Sequence, residues 1–396
     1  CAFEGAAQAA APSTSGSPFA LSSCANCRTR NPSVAMAPSG EVLTAWQGEG
    51  DAGITDAIPA RFFRADGSSS SSDFRVSDLS NRANKNPFVA ANRSEFLVVW
   101  NSDGDIWAQR YSLAGQQLGN PHQVNVPLSR LVLPPAVASN NIKPVAARTK
   151  DGGYVVVWLE IRSGGSAPRV LARKFDALDR PIGIPTVVSV QDNTADDRPS
   201  ACVDTVGRVV VAWSTVDRYD PFFPSRKGVQ LRRVSADLAS AEALRVVAAP
   251  ESKETNPVVS CGKGNTFVVA WQTDRAPSLD TSDVVAQRFT RLARKVGPTF
   301  VLNASATGQQ KHVALSHETS GAFVAVWEND DDESRGVVGR RFNPNGQALS
   351  SDFLIAPEGG DALSSPAISH GADGRAVVIW QEGNFDLFGQ RLAPAQ

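Results

Sequence analysis

The sequence predicts an all-β chain: a seven-bladed β-propeller of four-stranded blades, its ring closed by the N-terminal strand. Three observations lead there. An apolar run ending in tryptophan is written seven times, at Trp46, Trp100, Trp158, Trp213, Trp271, Trp327 and Trp380, and successive copies lie 53 to 58 residues apart. Each copy sits in a unit of short β-branched runs broken by Gly- and Pro-containing turns, the signature of a repeated four-stranded sheet. Only six fourth strands can be traced behind these tryptophans, and a candidate for the missing one stands at the other end of the chain.

Each unit opens on a short inner strand, marked by Pro32, Pro87, Pro144, Pro199, Pro257 and Pro366, with Val313 in the sixth unit. The proline precedes its tryptophan by 14 residues in five units and by 13 in the unit of Trp100. A tight turn such as Ser39-Gly40 or Asp373-Gly374 leads to the second strand, of which Val209-Val210-Val211-Ala212-Trp213 is typical. Such residues suit a pleated, buried surface. The third strand repeats the theme of Ala108-Gln109-Arg110-Tyr111 and Ala286-Gln287-Arg288-Phe289. Fourth strands are expected at 74–76, 124–126, 187–189, 245–247, 300–302 and 353–355. Pro18-Phe19-Ala20-Leu21-Ser22 matches Phe353-Leu354-Ile355-Ala356. The N-terminus is therefore expected to supply the outer strand of the last blade, which leaves no large open edge. Residues 18–396 then form one closed propeller, and residues 1–17 a low-complexity tether.

Residues at one repeat position point the same way round a ring. The seven tryptophans are accordingly core packing between blades. The cations of the third strand (Arg61, Arg110, Lys174, Arg233, Arg288, Arg341 and Arg391) are expected to lie between blades or to bond loop carbonyls.

The formal net charge is −1 with 20% charged residues, so nothing marks the chain for nucleic acid. No apolar run reaches 18 residues. There are five cysteines. Cys1 is followed by a stretch rich in Ala, Gly, Ser, Pro and Thr, and this start resembles a mature bacterial lipoprotein. The resemblance implies lipidation of Cys1 and attachment to a membrane through that lipid. Ala2, in place of Asp, implies the outer membrane. Four cysteines remain for two disulfides. Cys202 lies three residues after its opening proline and Cys261 four after its own. Strand side chains alternate faces, so two neighbouring inner strands bridge only across an odd offset. Cys202–Cys261 is expected on that ground, with Cys24–Cys27 pinning the closing strand.

The long irregular segments (47–56, 126–143, 161–169, 215–227, 273–283 and 328–335) all fall on the face that carries the blade connectors and the loops between second and third strands. The opposite face has short Gly-rich turns. Loops on a rigid scaffold carry recognition, so binding is expected on the elaborated face. Its candidates are the aromatic tip Tyr219, Phe222 and Phe223, the series Asn101, Asp103 and Asp105, and the acidic run Asp330, Asp331 and Asp332. The two acidic groups offer oxygen ligands to Ca²⁺ but lack a full loop signature. Asp105 recurs as Asp283 and Asp386, which favours a structural turn.

Catalytic motifs are sparse. The four histidines, His122, His312, His317 and His370, show no metal-ligand spacing, and there is no nucleophile elbow or phosphate-binding loop. His317 and His370 share one repeat position and are expected to be structural. The repeat resembles those of bacterial secreted and surface propeller proteins across residues 18–392. The expectation is a non-enzymatic cell-envelope lipoprotein whose propeller is a protein-interaction module, with other envelope proteins as partners. The alternatives are a carbohydrate-binding propeller with a glycan partner, and a glycoside hydrolase using two carboxylates ~5–9.5 Å apart.

Overall fold

The computed structural model describes residues 12–23, 27–49, 57–77, 82–125, 139–163, 167–189, 194–217, 227–248, 254–274, 281–305, 307–331, 335–357, 362–383 and 386–394. They form a seven-bladed β-propeller of seven antiparallel four-stranded sheets. The chain opens with β1 (Thr14–Ala20), which starts inside the segment expected to be a tether. Blade one is β2 (Arg28–Met36), β3 (Val42–Glu49), β4 (Pro59–Phe63) and β5 (Phe74–Arg75). Blade two is β6 (Asn84–Ala91), β7 (Glu95–Ser102), β8 (Asp105–Ser112) and β9 (Gln117–Gln123). Blade three is β10 (Ser139–Arg148), β11 (Tyr154–Arg162), β12 (Arg169–Phe175) and β13 (Pro181–Val187). Blade four is β14 (Thr194–Val203), β15 (Val209–Asp217), β16 (Lys227–Val234) and β17 (Arg245–Ala248). Blade five is β18 (Glu254–Cys261), β19 (Phe267–Asp274), β20 (Ser282–Phe289) and β21 (Lys295–Val301). Blade six is β22 (Gln310–His317), β23 (Phe323–Asn329), β24 (Gly336–Phe342) and β25 (Phe353–Pro357). Blade seven is β26 (Leu363–His370), β27 (Ala376–Glu382) and β28 (Asp386–Leu392), completed by β1.

The closing strand takes the place expected for it. Phe19 stands opposite Gly389 and its ring fills the space a side chain there would need, as Phe353 does opposite Gly339. On the face of the short turns, Arg391 and Arg375 both donate to the carbonyl of Ala65 at 3.0 Å, tying blade seven to blade one.

Each tryptophan packs into the preceding blade. Trp100 of blade two clusters with Ala35, Phe62 and Val89, and Trp46 of blade one with Val377 and Ile379 of blade seven. A tryptophan buried this completely removes ~150–250 Å² from water, roughly 4–6 kcal/mol of transfer free energy as an upper figure. Seven such contacts make the ring one cooperative core.

In blades two, three and five the fourth strand starts about six residues earlier than the β-branched patches suggested. A tight turn such as 112–115 brings the chain straight back, so pairing begins at Gln117, Pro181 and Lys295. The ladder is kept by a bulge at Gly119, Gly183 and Gly297, where φ is between 67 and 73°. Only glycine takes such angles freely. The repeated Gln of the third strand closes this bulge: Gln109, Gln287 and Gln390 donate to the carbonyls of Gly119, Gly297 and Gly16.

The repeated cations are structural. Arg61 pairs with Asp73 at 2.7 Å, Arg110 with Asp179 at 2.8 Å and Arg341 with Glu318 at 2.6 Å, while Arg288 donates to the carbonyl of Pro344. Burial works against the charge on Arg110, yet hydrogen bonds to Asp179 and Glu95 hold its pKa above the ordinary value. Cys202 and Cys261 form a disulfide across blades four and five, with Cα atoms 5.7 Å apart. Blades five and six repeat the contact without sulfur: Ser260 and His317 occupy the corresponding positions and bond at 2.8 Å. Cys27 is disulfide-bonded; its expected partner Cys24 lies outside the described residues, as does Cys1.

Candidate active site

The inner strands β2, β6, β10, β14, β18, β22 and β26 ring the central channel. Each carries one bulge at the same place, between Arg30 and Ser33, Lys85 and Phe88, Ile142 and Val145, and so on round the ring. The bulged residue stands just before the opening proline position: Asn31, Asn86, Lys143, Arg198, Asn256, His312 and Ser365, all with φ between 47 and 54°. Positive φ is uncommon for residues other than glycine, and Asn and His tolerate it best. A bulge leaves a backbone N–H out of the ladder, and the proline that follows has none to leave. His312 keeps the same angle before Val313, so the conformation belongs to the ring.

The bulge re-aims these seven side chains around the channel mouth, on the face of the blade connectors. In blades one, two and five the bulged amide bonds the residue after the blade's tryptophan, which the register pairs with the bulged residue's predecessor: Asn31 donates to Gln47 at 3.2 Å, Asn86 to Asn101 at 2.8 Å and Asn256 to Gln272 at 3.4 Å. Neighbouring blades also touch here. Asn31 reaches Asn86 at 3.4 Å, and Lys143 meets Asp197 of blade four at 2.5 Å.

Blade six departs from the amide pattern. Its bulge residue is His312 and the residue after Trp327 is Glu328, bonded from His312 Nδ1 at 2.8 Å. Glu328 also accepts the backbone N–H of Ser365 in blade seven at 2.5 Å, and its side chain is only 14% exposed. Glu328 lines a recess of about 150 Å³ with Lys311, Asn329, Asp330, Arg335 and Leu363. Asp330 pairs with Arg335 at 3.0 Å. The recess is therefore lined by a fixed carboxylate, a second carboxylate and two cations, and His312 stands behind it, bonded to Glu328. Two larger clefts on the opposite face, between blades two and three and between five and six, are lined by turns and structural cations such as Arg148, held by Glu95 at 2.7 Å, and Arg288.

Of the residues singled out in the sequence, Asn101 belongs to the mouth ring and Asp330 to the recess. Asp331 is buried and accepts bonds from Thr307 at 2.7 Å and from Ser305. Asp103 accepts from the N–H of Ala83 and lies 3.9 Å from Arg82. Asp105 is clamped by Asn125 at 3.0 Å, an arrangement that Asp283 and Asn303 repeat at 2.7 Å. The oxygens expected for Ca²⁺ thus go to separate partners, and among the described residues no three His, Cys, Asp or Glu converge as metal ligands would. Tyr219, Phe222, Phe223 and Asp332 lie outside the described residues. The reading of the sequence missed His312 and Glu328. Their signal was the repeat position itself, Asn-Pro in three units, at which blade six alone has a histidine.

No family model matches the chain, and no curated protein matches it. Solved structures do. An ulvan lyase bound to -[GlcA(1-4)Rha3S]- superposes with a TM-score of 0.61 at 8% identity, covering 96% of each chain. A protein of unknown function from Dyadobacter fermentans gives 0.56 at 11% identity, over 96% of this chain and 98% of that one. An α-L-arabinofuranosidase from Fusarium graminearum gives 0.54 at 9%, with the same coverage. At these identities the likeness shows the fold alone.

It nevertheless corrects the expectation of a non-enzymatic interaction module. The interaction module was read from Cys1, the tether and the one-sided loops, and its non-enzymatic character from missing motifs; the propellers that share this architecture over nearly their whole length include a hydrolase and a lyase. Cleaving a glycan needs carboxylates and acid–base groups placed by the fold, with no sequence-contiguous signature. The missing elbow, phosphate loop and metal spacing were no argument against it.

Proposed function

We propose that this chain is a carbohydrate-active enzyme that cleaves a polysaccharide at the channel mouth beside blades six and seven. The observation that carries the reading is Glu328: a largely buried carboxylate oriented by two hydrogen bonds, one from a histidine, and lining an open recess. Residues held by neighbours in this way are preorganised for acid–base work. Glu328 is the group assigned to proton transfer at the glycosidic bond, and His312 positions it. Asp330, two residues on and lining the same recess, supplies the second carboxylate, and Lys311 and Arg335 meet negative charge on the sugar. The glycans named for the structural neighbours support the substrate class.

The test is incubation of the chain with a panel of neutral and acidic polysaccharides, scoring new reducing ends and ultraviolet-absorbing unsaturated products. Hydrolysis gives the first alone, and elimination gives both. Glu328→Gln is expected to lower the rate by roughly 10²–10⁴ while leaving binding. No product from any member of the panel sinks the proposal.

A further inference from the structure

We infer that the glycan taken by this mouth is acidic, a polysaccharide carrying uronate or sulfate groups; the inference rests on the reading of the same mouth as a glycan-cleaving site. It comes from how charge is distributed along the inner strands. The two residues ahead of each opening position (the bulged one and its predecessor) make fourteen places around the mouth. Arg30, Lys85, Lys143, Arg198 and Lys311 occupy five of them and His312 a sixth, against one carboxylate, Asp197. In the facing ring of residues after the tryptophans, the only charge is Glu328. Five cations against two carboxylates leave a formal excess of three positive charges on a chain whose net charge is −1.

The other ends of the same strands show that this is not a general habit of theirs. The corresponding two places in each blade hold Ala35 and Met36, Ala90 and Ala91, Cys202 and Val203, with one permanent cation in the whole set, Arg148. That arginine is held by Glu95. Positive charge has been collected at one end of the channel, where low-dielectric walls focus its field.

Between the cations stand amides, among them Asn31, Asn86, Asn256 and Gln272, several joined by hydrogen bonds of 3.2–3.4 Å. An amide has two donor hydrogens and two acceptor lone pairs, so these keep capacity for hydroxyl groups. Cations interleaved with amides match a ligand that alternates anionic groups with hydroxyls. Single-stranded nucleic acid is the competing polyanion, but its binding calls for aromatic platforms between the cations. None of the twenty-one mouth positions is Phe, Tyr or Trp, and the one ring among them, His312, is bonded to Glu328.

The experiment is titration calorimetry on the full chain with an oligogalacturonate and its carboxyl-reduced counterpart of equal length. Dextran sulfate against dextran tests sulfate as the anion, and a single-stranded oligodeoxynucleotide of equal charge serves as the competitor. The expected result is binding of at least one charged glycan about tenfold tighter than its neutral partner, weakening as salt is raised. Arg30→Gln with Lys85→Gln, and separately Lys311→Gln, should each narrow that ratio severalfold. Equal affinity for charged and neutral members of both pairs overturns the inference, and so does a nucleotide bound as tightly as either glycan. Cleavage of a neutral polysaccharide with no charge preference removes the acidic-substrate inference and leaves the enzyme reading standing. Charge-selective glycan binding without cleavage does the reverse.

Discussion

Acidification should loosen this propeller through a pair of buried histidines. His317 and His370 end the inner strands of blades six and seven, and burial holds each near a pKa of about 4, against an ordinary 6.5. His317 is pressed further by the positive charge that His370 would carry; Glu318 works the other way on both, and the charge on Arg341 presses His370 down. The folded state thus binds fewer protons than the unfolded chain between pH 6.5 and 4, so stability falls as pH drops through that window. At pH 5 the linkage relation gives about 2 kcal/mol lost for each histidine relative to neutral pH, a ceiling because both rings are only partly buried. His122, also depressed chiefly by burial, adds in the same direction. Glu318 acts elsewhere: although burial opposes it, Arg341 keeps it below the ordinary 4.5, so its contribution is lost only at lower pH. The assay is urea unfolding at intervals from pH 7.5 to 5, on the parent chain and on His317→Gln with His370→Gln. The parent midpoint should fall steadily below pH 6.5, and the double variant should lose most of that slope. A parent curve flat from pH 7.5 to 5, or one that the double variant reproduces, would falsify the assignment of the acid response to this pair.

Four further outcomes are expected. Opening the Cys202–Cys261 bridge by Cys202→Ala and Cys261→Ala, which releases a 59-residue separation, should cost about 4 kcal/mol in calorimetric or denaturant stability by loop-closure entropy. Arg110→Ala leaves Glu95 and Asp179, each less than a fifth exposed, without one of their cations and should destabilise by about 3 kcal/mol; Arg110→Met tests whether packing alone restores part of it. Deleting β1 bares the outer edge of β28, and size-exclusion chromatography should then show association through that edge. Finally, Gln109→Ala should unfasten the fourth strand at Gly119, read as faster amide exchange in 117–123 with little change elsewhere.

The period of the tryptophans, the Gly-marked turns and the fit between Pro18-Phe19-Ala20-Leu21 and Phe353-Leu354-Ile355-Ala356 carried the architecture, down to which strand closes the ring. They could do so because a propeller blade buries its faces only against copies of itself, so the constraint is repeated along the chain and reads as a period. The same logic reached the Cys202–Cys261 bridge, since alternation of strand faces is local. The fourth strands of blades two, three and five were placed too late because their pairing is held by a glycine bulge and a third-strand side chain (Gln109, Arg173 and Gln287) rather than by β-branched residues. The mouth was less legible still. His312 and Glu328 are 16 residues apart, and Ser365, which supplies the second hydrogen bond, comes from the next blade. Sequence alone determined that seven equivalent sheets form a ring. Tertiary structure decided which end of the channel gathers cations, amides and a fixed carboxylate, because those groups meet only when the bulges turn them toward a common axis.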